Sequence, residues 1–114
     1  MAYDEYTADR IRQTLSAKKV PFEERKMFGG LCFMVDDKMC IGVHTEKIMA
    51  RVDPEREEDL LLKPGAKTMD FTGRPMKGFI FVEPNGYDLD EDLKSWVDQC
   101  LEYNPKARSS KRKK

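Results

Sequence analysis

The sequence of 114 residues predicts a single α+β domain with an antiparallel sheet, in the order α-β(3)-α-β(2)-α. Short apolar runs separated by tight polar turns occupy residues 30–52, which is typical of an antiparallel meander. The segments that flank this region have apolar residues at three- and four-residue spacing, which indicates helices that pack one face on a sheet.

The first predicted element is a helix over residues 4–18. Its apolar residues Ala8, Ile11 and Leu15 recur at helical spacing. Val20-Pro21 follows, and because proline disfavours helical geometry in the residue before it, the helix is expected to end here.

The meander is predicted to contain three strands and to begin between Glu24 and Phe28. Asp36-Asp37 and Thr45-Glu46 are taken as two-residue loops, and this pairing divides the side chains between two faces. The face expected to be core contains Cys32, Met34, Met39, Ile41, Val43, Ile48, Ala50 and Val52. The other face contains Leu31, Phe33, Val35, Cys40, Gly42, His44, Lys47, Met49 and Arg51.

A short helix is predicted from Asp53 to Leu62, because aspartate is a good N-cap and Pro54 suits the first helical position. Strands over residues 67–71 and 77–83 follow, joined by a turn at residues 72–75. In the second of these strands Phe79 and Phe81 lie on the face opposite Ile80 and Val82, so coverage of both faces is expected.

The last helix is predicted from Asp88 to Tyr103. Asp88 and Glu91 have the spacing of a capping box, and Asn104-Pro105 ends the helix. One continuous apolar stripe runs along it, formed by Leu89, Leu93, Trp96, Val97, Cys100 and Leu101.

Charge is segregated along the chain, although the 21 basic and 21 acidic residues cancel overall. Residues 106–114 contain no acid and six cations, namely Lys106, Arg108, Lys111, Arg112, Lys113 and Lys114. This tail has no apolar residue larger than alanine, so it is predicted to be disordered, and the folded domain is assigned to residues 1–105. Its charge favours contact with nucleic-acid phosphates, with simple solubilisation as the alternative.

The composition favours a cytoplasmic protein. No apolar run approaches the roughly 18 residues of a membrane span, and the N-terminal residues lack an apolar signal region. Three cysteines without metal-ligand spacing indicate reduced thiols.

No catalytic, cofactor or metal site is expected. Cys32, Cys40 and His44 lack the fourth ligand and the paired spacing of a structural zinc site. On one strand, Cys40 and His44 would lie about 13 Å apart, too far for proton transfer. Gly29-Gly30 precedes a strand, whereas a phosphate-binding loop needs a lysine and a following helix.

Two candidate contact sites remain. Arg74 and Lys77 lie beside flexible glycines and form a candidate anion contact, with a solvated hairpin turn as the alternative. The candidate interaction face consists of Leu31, Phe33, Val35, Met49 and Arg51. Such an apolar patch usually marks an interaction site when it is exposed, and coverage by the remaining elements is the alternative.

Five phrases in order resemble the N-terminal domain of the TfoX/Sxy family, from Tyr6 to Asn104. They are Met27-Phe28-Gly29-Gly30, the strands from Leu31 to Val52, Met69-Asp70-Phe71, Met76-Lys77-Gly78-Phe79 and Leu93-Lys94-Ser95-Trp96-Val97. The resemblance implies the α-β(3)-α-β(2)-α fold, similar to that of secretion chaperones, and a role in regulating natural competence alongside a transcription factor. It supplies no catalytic residues. The competence regulators also carry a second, helical domain, which these residues do not contain.

The sequence therefore predicts a non-enzymatic interaction domain that acts through a protein partner in transcriptional or competence regulation. The alternative is a weak, nonspecific nucleic-acid binder that uses the basic tail. Because secretion chaperones pair through a sheet, the resemblance also favours a homodimer formed through the candidate interaction face.

Overall fold

A six-stranded antiparallel sheet organises the computed structural model, which describes residues 3–27, 29–70 and 75–106. The strands are β1 (Glu23–Met27), β2 (Gly30–Val35), β3 (Lys38–His44), β4 (Lys47–Arg51), β5 (Ala66–Asp70) and β6 (Pro75–Val82). They lie in the order β1-β2-β3-β4-β6-β5. The helices are α1 (Glu5–Ala17), α2 (Glu57–Leu60) and α3 (Asp90–Tyr103). The predicted α+β class with an antiparallel sheet is confirmed.

The meander has four strands, one more than predicted. The additional strand, β1, pairs along its length with β2 and forms an edge of the sheet. Its residues Glu23-Glu24-Arg25-Lys26 are charged, so no apolar alternation indicates a strand. The guanidinium of Arg12 on α1 donates to both carboxylate oxygens of Glu24, at 2.5 and 2.9 Å. Charges along an edge strand oppose edge-to-edge association with other chains.

A β-bulge in β3 changes which side chains face the helices. Val35 pairs with Lys38 as the predicted two-residue loop requires, and Met34 pairs with Met39. The register then shifts, because Phe33 pairs with Ile41 and leaves Cys40 as the extra residue. A bulge places two residues of one strand opposite one residue of the other, so the alternation of faces is reversed beyond it.

The predicted division of faces is consequently wrong for β2 and for part of β3. Leu31, Phe33 and Val35 are buried in a core beneath the helices, so these three members of the candidate interaction face are not on the surface. Cys32, Met34 and Met39, which were expected in that core, lie together in a second cluster. The other five residues of the predicted core are confirmed there, namely Ile41, Val43, Ile48, Ala50 and Val52.

The helix-side core, as we call the larger cluster, is formed where α1 and α3 cover one face of the sheet. From α1 it receives Ala8, Ile11 and Leu15. From α3 it receives Leu93, Trp96, Val97 and Cys100. Most of the predicted stripe of α3 is therefore buried, but Leu101 is only partly buried and Leu89 is 62% exposed.

Local capping explains two of the helix starts. The Asp53 carboxylate accepts a hydrogen bond from the Glu55 amide at 3.0 Å, which confirms the predicted cap before the 3-10 turn Pro54–Arg56 and α2. Asp4 caps α1 by accepting from the amide and the hydroxyl of Thr7. The predicted capping box at Asp88 is wrong, because α3 begins after Leu89 without a side-chain cap. Three acids in the first turn of α3 suit the helix dipole instead.

Trp96 is the largest fully buried side chain in the described part of the chain, with 1% of its surface exposed. Replacing Trp96 with alanine removes its contacts and leaves a cavity, so we expect a loss of about 3–5 kcal/mol in the free energy of unfolding. Urea titration followed by circular dichroism measures this loss. The control, Leu89→Ala, truncates an exposed residue next to the same helix and is expected to change stability by less than about 0.5 kcal/mol. Equal losses in the two variants would contradict the placement of Trp96.

Candidate interaction face

The second face of the sheet is rich in methionine. Its buried members come from β2, β3, β4 and β5, and two phenylalanines of β6 pack against them while remaining partly exposed. We call this surface the methionine face; it consists of Cys32, Met34, Met39, Met49, Met69, Phe79 and Phe81. Within the described residues, every buried apolar residue of the helices belongs to the helix-side core and none to this cluster. The described helices therefore lie on the opposite side of the sheet.

Two cations of β4 lie over the phenylalanine rings of the neighbouring strand β6. The ammonium of Lys47 is 5.2 Å from the ring centroid of Phe81, and the guanidinium carbon of Arg51 is 5.4 Å from that of Phe79. His44 stacks on Phe81 with a centroid separation of 6.0 Å. Each cation is attracted to the negative face of its ring, so aromatic and charged groups are held together in one strip.

The strand register adds two more cations to this surface. Arg25 of β1 lies opposite Cys32, and Lys67 of β5 lies opposite Phe81, and residues directly opposite each other share a face. Acids partly balance both of them, since Arg25 lies 3.6 Å from Glu23 and Lys67 lies 3.8 Å from Glu83. Partial burial lowers the pKa of Arg51, because a guanidinium is less well solvated there.

Charge differs between the two layers of the domain. The three helices contain ten acidic residues, namely Glu5, Asp9, Glu57, Glu58, Asp59, Asp90, Glu91, Asp92, Asp98 and Glu102. Their basic residues are Arg10, Arg12 and Lys94. The strands reverse this balance, with the acids Glu23, Glu24 and Asp70 and the bases Arg25, Lys26, Lys38, Lys47, Arg51, Lys67 and Lys77. The sheet layer is therefore basic and the helical layer acidic.

The three cysteines are divided between the two buried clusters, and among the described residues no group of three His, Cys, Asp or Glu side chains is placed to hold a metal ion. Burial raises the pKa of Cys32 to about 12, and burial together with the neighbouring Cys40 thiol raises the pKa of Cys100. The bulge also places Cys40 in the helix-side core, whereas Cys32 belongs to the methionine face. The expectation that Cys40 shares a face with His44 is therefore wrong.

The predicted anion contact is only partly described, since Arg74 lies outside the described residues and Lys77 is exposed on β6. The backbone beside Lys77 already binds an anion of this chain. The Gly78 amide donates to a carboxylate oxygen of Glu57 on α2 at 2.8 Å, and Gly78 has a φ of +85°, a conformation that glycine adopts without strain.

The predicted nucleic-acid tail begins at the edge of the described structure. Lys106 lies 3.9 Å from Asp53, within reach of an ion pair, and residues 107–114 lie outside the described residues. Arg108, Lys111, Arg112, Lys113 and Lys114 are among them.

A groove of about 470 Å³ lies between α1 and α3. It is lined by short and charged side chains, including Arg10, Thr14 and Lys94. Arg10 pairs with Asp90 at 3.0 Å, and Lys18 pairs with Asp98 at 2.5 Å, so two ion pairs connect the helices. The lining mixes both charges and shows no preference for one ligand chemistry.

The structure places two residues of the predicted interaction face on the methionine face. They are Met49, which is fully buried, and Arg51, with Lys47 beside them. Phe79 and Phe81 were not assigned to it, because only the pairing of β4 with β6 brings them there. The sequence signal that points to their placement is the alternation of phenylalanine with Ile80 and Val82, which puts the phenylalanines on the face opposite the helix-side core.

The family model described as the TfoX N-terminal domain matches residues 14–103. No curated protein and no solved structure matches the chain. Among the described residues, no helix is long and apolar enough to cross a membrane.

The buried thiol of Cys32 makes stability depend on pH in the alkaline range. Its pKa rises from 9.0 in the unfolded chain to about 12 in the folded protein, so the unfolded state loses the proton first. The stability that the protonated thiol contributes is complete below pH 9 and is lost as the pH rises towards 12. Cys32→Ala has no such thiol. Urea titrations at pH 9 and pH 12 should therefore show a smaller decrease in the free energy of unfolding for this variant than for the wild type. Parallel losses in both proteins would contradict the burial of this thiol.

Proposed function

The chain belongs to the TfoX N-terminal domain family, and we propose that it is a regulatory interaction domain that acts through a protein partner. The family model covers most of the chain, so the proposal concerns the whole folded domain. The family's connection with competence supports a role in transcriptional or competence regulation, and the sequence favours the cytoplasm as its location.

The methionine face carries this proposal. Phe79 and Phe81 remain partly exposed on a sheet face that lies opposite the described helices, and Lys47 and Arg51 are held over their rings. Aromatic residues, methionine and arginine are the residue types enriched in protein interfaces. Methionine also adapts its shape to a partner surface because its side chain is flexible and polarizable.

We propose a non-catalytic role. Among the described residues, the two thiols with shifted pKa values, Cys32 and Cys100, are shifted upward. A cysteine nucleophile needs a lowered pKa, so these environments favour inert, structural thiols. Nucleic-acid binding by the basic tail is the second candidate, supported by six cations within residues 106–114.

Affinity capture tests the role of the methionine face. The immobilised full-length chain is compared with the variant Phe79→Ala/Phe81→Ala in an extract of the producing cells. We expect partner recovery to fall at least about tenfold in the variant, since about 1.4 kcal/mol of lost binding energy is sufficient for that change. Thermal melts of each variant establish that it is folded.

The matched control is Tyr6→Ala/Leu62→Ala, which truncates two side chains that are 73% and 84% exposed elsewhere on the surface. Recovery is expected to match the wild type. If the phenylalanine variant is folded and retains the same proteins as the control, the methionine face is not the binding site.

A further inference from the structure

We propose that two copies of this chain associate edge to edge, with their β1 strands antiparallel and Glu23 of each copy opposite Arg25 of the other. The inference goes beyond the proposed function, because it concerns an edge of the sheet and not the methionine face. It follows from the open edge of β1, from the order of its charges and from the neutralisation of Glu24.

β1 offers a regular edge for another strand. It lies at one end of the described sheet and pairs with β2 in an uninterrupted register over its five residues. In an antiparallel strand every second residue turns its N–H and C=O away from the neighbouring strand, so the outer side of β1 presents donors and acceptors. The strand at the other end, β5, has an irregular register between Thr68 and Asp70, which hinders regular pairing.

The charges of β1 are ordered so that the strand complements a reversed copy of itself. Glu23 and Arg25 are exposed, and both lie on the side of the methionine face, since their partners in β2 belong to it. The two side chains approach each other only to 3.6 Å, which is longer than a hydrogen bond, so each remains able to bind a second charge. Antiparallel pairing reverses the order of the second strand, and the acid of each copy then meets the base of the other.

Two-fold symmetry limits the register of this pairing. Residues directly opposite each other share a face, so an axis perpendicular to the sheet passes through a residue of β1. It places the helices of both copies on one side and both methionine faces on the other. Of the two central positions, an axis through Arg25 would oppose two arginines, whereas an axis through Glu24 would oppose two glutamates.

Arg12 decides between these two axes. Its guanidinium donates hydrogen bonds of 2.5 and 2.9 Å to the carboxylate oxygens of Glu24 in each copy, which neutralises the two opposed glutamates. Arg25 has no comparable bidentate partner among the described residues, since its ion pair with Glu23 is longer. Because like charges directly opposite are destabilising, the axis passes through Glu24, and each Glu23 then lies opposite an Arg25.

The same register brings an aromatic ring and a cation together on the helix side. Phe22 immediately precedes β1 and would lie opposite Lys26 of the second copy. Its ring packs against Phe33 at a centroid distance of 5.6 Å, and Lys26 pairs with a residue of the helix-side core, so both lie on the side of the helices. A cation is attracted to the negative face of an aromatic ring, so this contact adds to the ion pairs on the opposite face.

The charges that protect β1 from other strands are compatible with a second copy. A strand of another sequence would leave these charges without matching groups, which opposes its pairing. The second copy supplies an opposite charge to Glu23 and to Arg25, so the edge favours its own sequence. The interface is small and exposed ion pairs contribute little each, so we expect a weak dimer that salt weakens further.

Sedimentation equilibrium of the full-length chain at increasing concentrations tests the proposal. We expect a reversible monomer–dimer equilibrium for the wild type. Glu23→Arg and Arg25→Glu each place like charges opposite each other in both pairs of the dimer. Each variant is therefore expected to dimerise at least about tenfold more weakly, and thermal melts establish that it is folded.

Restored complementarity distinguishes the proposed pairing from a general effect of charge. In an equimolar mixture of Glu23→Arg with Arg25→Glu, both pairs of the mixed dimer have opposite charges, so association is expected to return. The double variant Glu23→Arg/Arg25→Glu keeps the net charge of the wild type and should dimerise as the wild type does.

The matched controls are Glu91→Arg and Lys94→Glu, which make the same charge changes at exposed positions of α3. Neither control is expected to lose the dimer, and their mixture should not associate more strongly than the wild type. If a single variant of β1 does not fold, Glu23→Gln/Arg25→Gln provides the test, because it removes both ion pairs without introducing like charges and should also weaken the dimer.

Three results would overturn this pairing. They are a wild type that stays monomeric at every concentration, single variants that dimerise as strongly as the wild type, and a mixture or double variant that does not recover the dimer. A dimer that is lost in Phe79→Ala/Phe81→Ala but kept in the variants of β1 would also contradict it, since the copies would then associate through the methionine face. Partner capture is measured separately, so failure of the β1 dimer leaves the proposed function standing.

Discussion

One unpaired position in β3 decides which side chains the domain buries beneath its helices. Cys40 has no partner in β2, because the register shifts between the pairs Met34–Met39 and Phe33–Ile41. The shift lets Phe33 and Ile41 face the helices together, although a regular pairing from the Asp36-Asp37 turn would place them on opposite faces. The large residues that α1 and α3 need for a core are thereby collected on one side.

The bulge also determines the character of the other face. Aliphatic and aromatic residues with well-defined shapes fill the helix-side core, whereas four methionines and a cysteine form the second cluster. Flexible methionine side chains suit a surface that adjusts to a partner. The helices hold most of the acids and the strands most of the bases, so the helical and sheet layers also differ in charge. The fold thus produces an acidic helical layer and a basic, methionine-rich sheet layer.

Local rules were sufficient for much of this fold. The helix stop at Val20-Pro21 and the Asp53 cap follow from the chemistry of one or two residues, and both ends were predicted within a few positions. β1 was missed because its charges are stabilised at a sheet edge by pairing with β2 and by Arg12, which are contacts with distant residues. The bulge was missed because neighbouring apolar residues allow either register.

The candidate site was likewise predicted where the alternation within one strand decides the placement, and missed where pairing with another strand decides it. Lys47, Met49 and Arg51 were assigned correctly to one face, since a single strand decides their alternation. Leu31 and Phe33 were assigned wrongly because their face depends on the bulge in the adjacent strand. Contacts between β4 and β6, which are separated in the chain by α2 and β5, could not be read from local spacing.

The most direct test of this account places one charge on each face and compares the free energies of unfolding. Phe33 is fully buried in the helix-side core, and Phe81 is partly exposed on the methionine face. A buried, unpaired carboxylate is costly, so Phe33→Glu is expected to abolish cooperative unfolding, whereas Phe81→Glu is expected to remain folded with a smaller loss. A folded Phe33→Glu protein alongside an unfolded Phe81→Glu protein would show that the register is reversed and that the two faces have been exchanged.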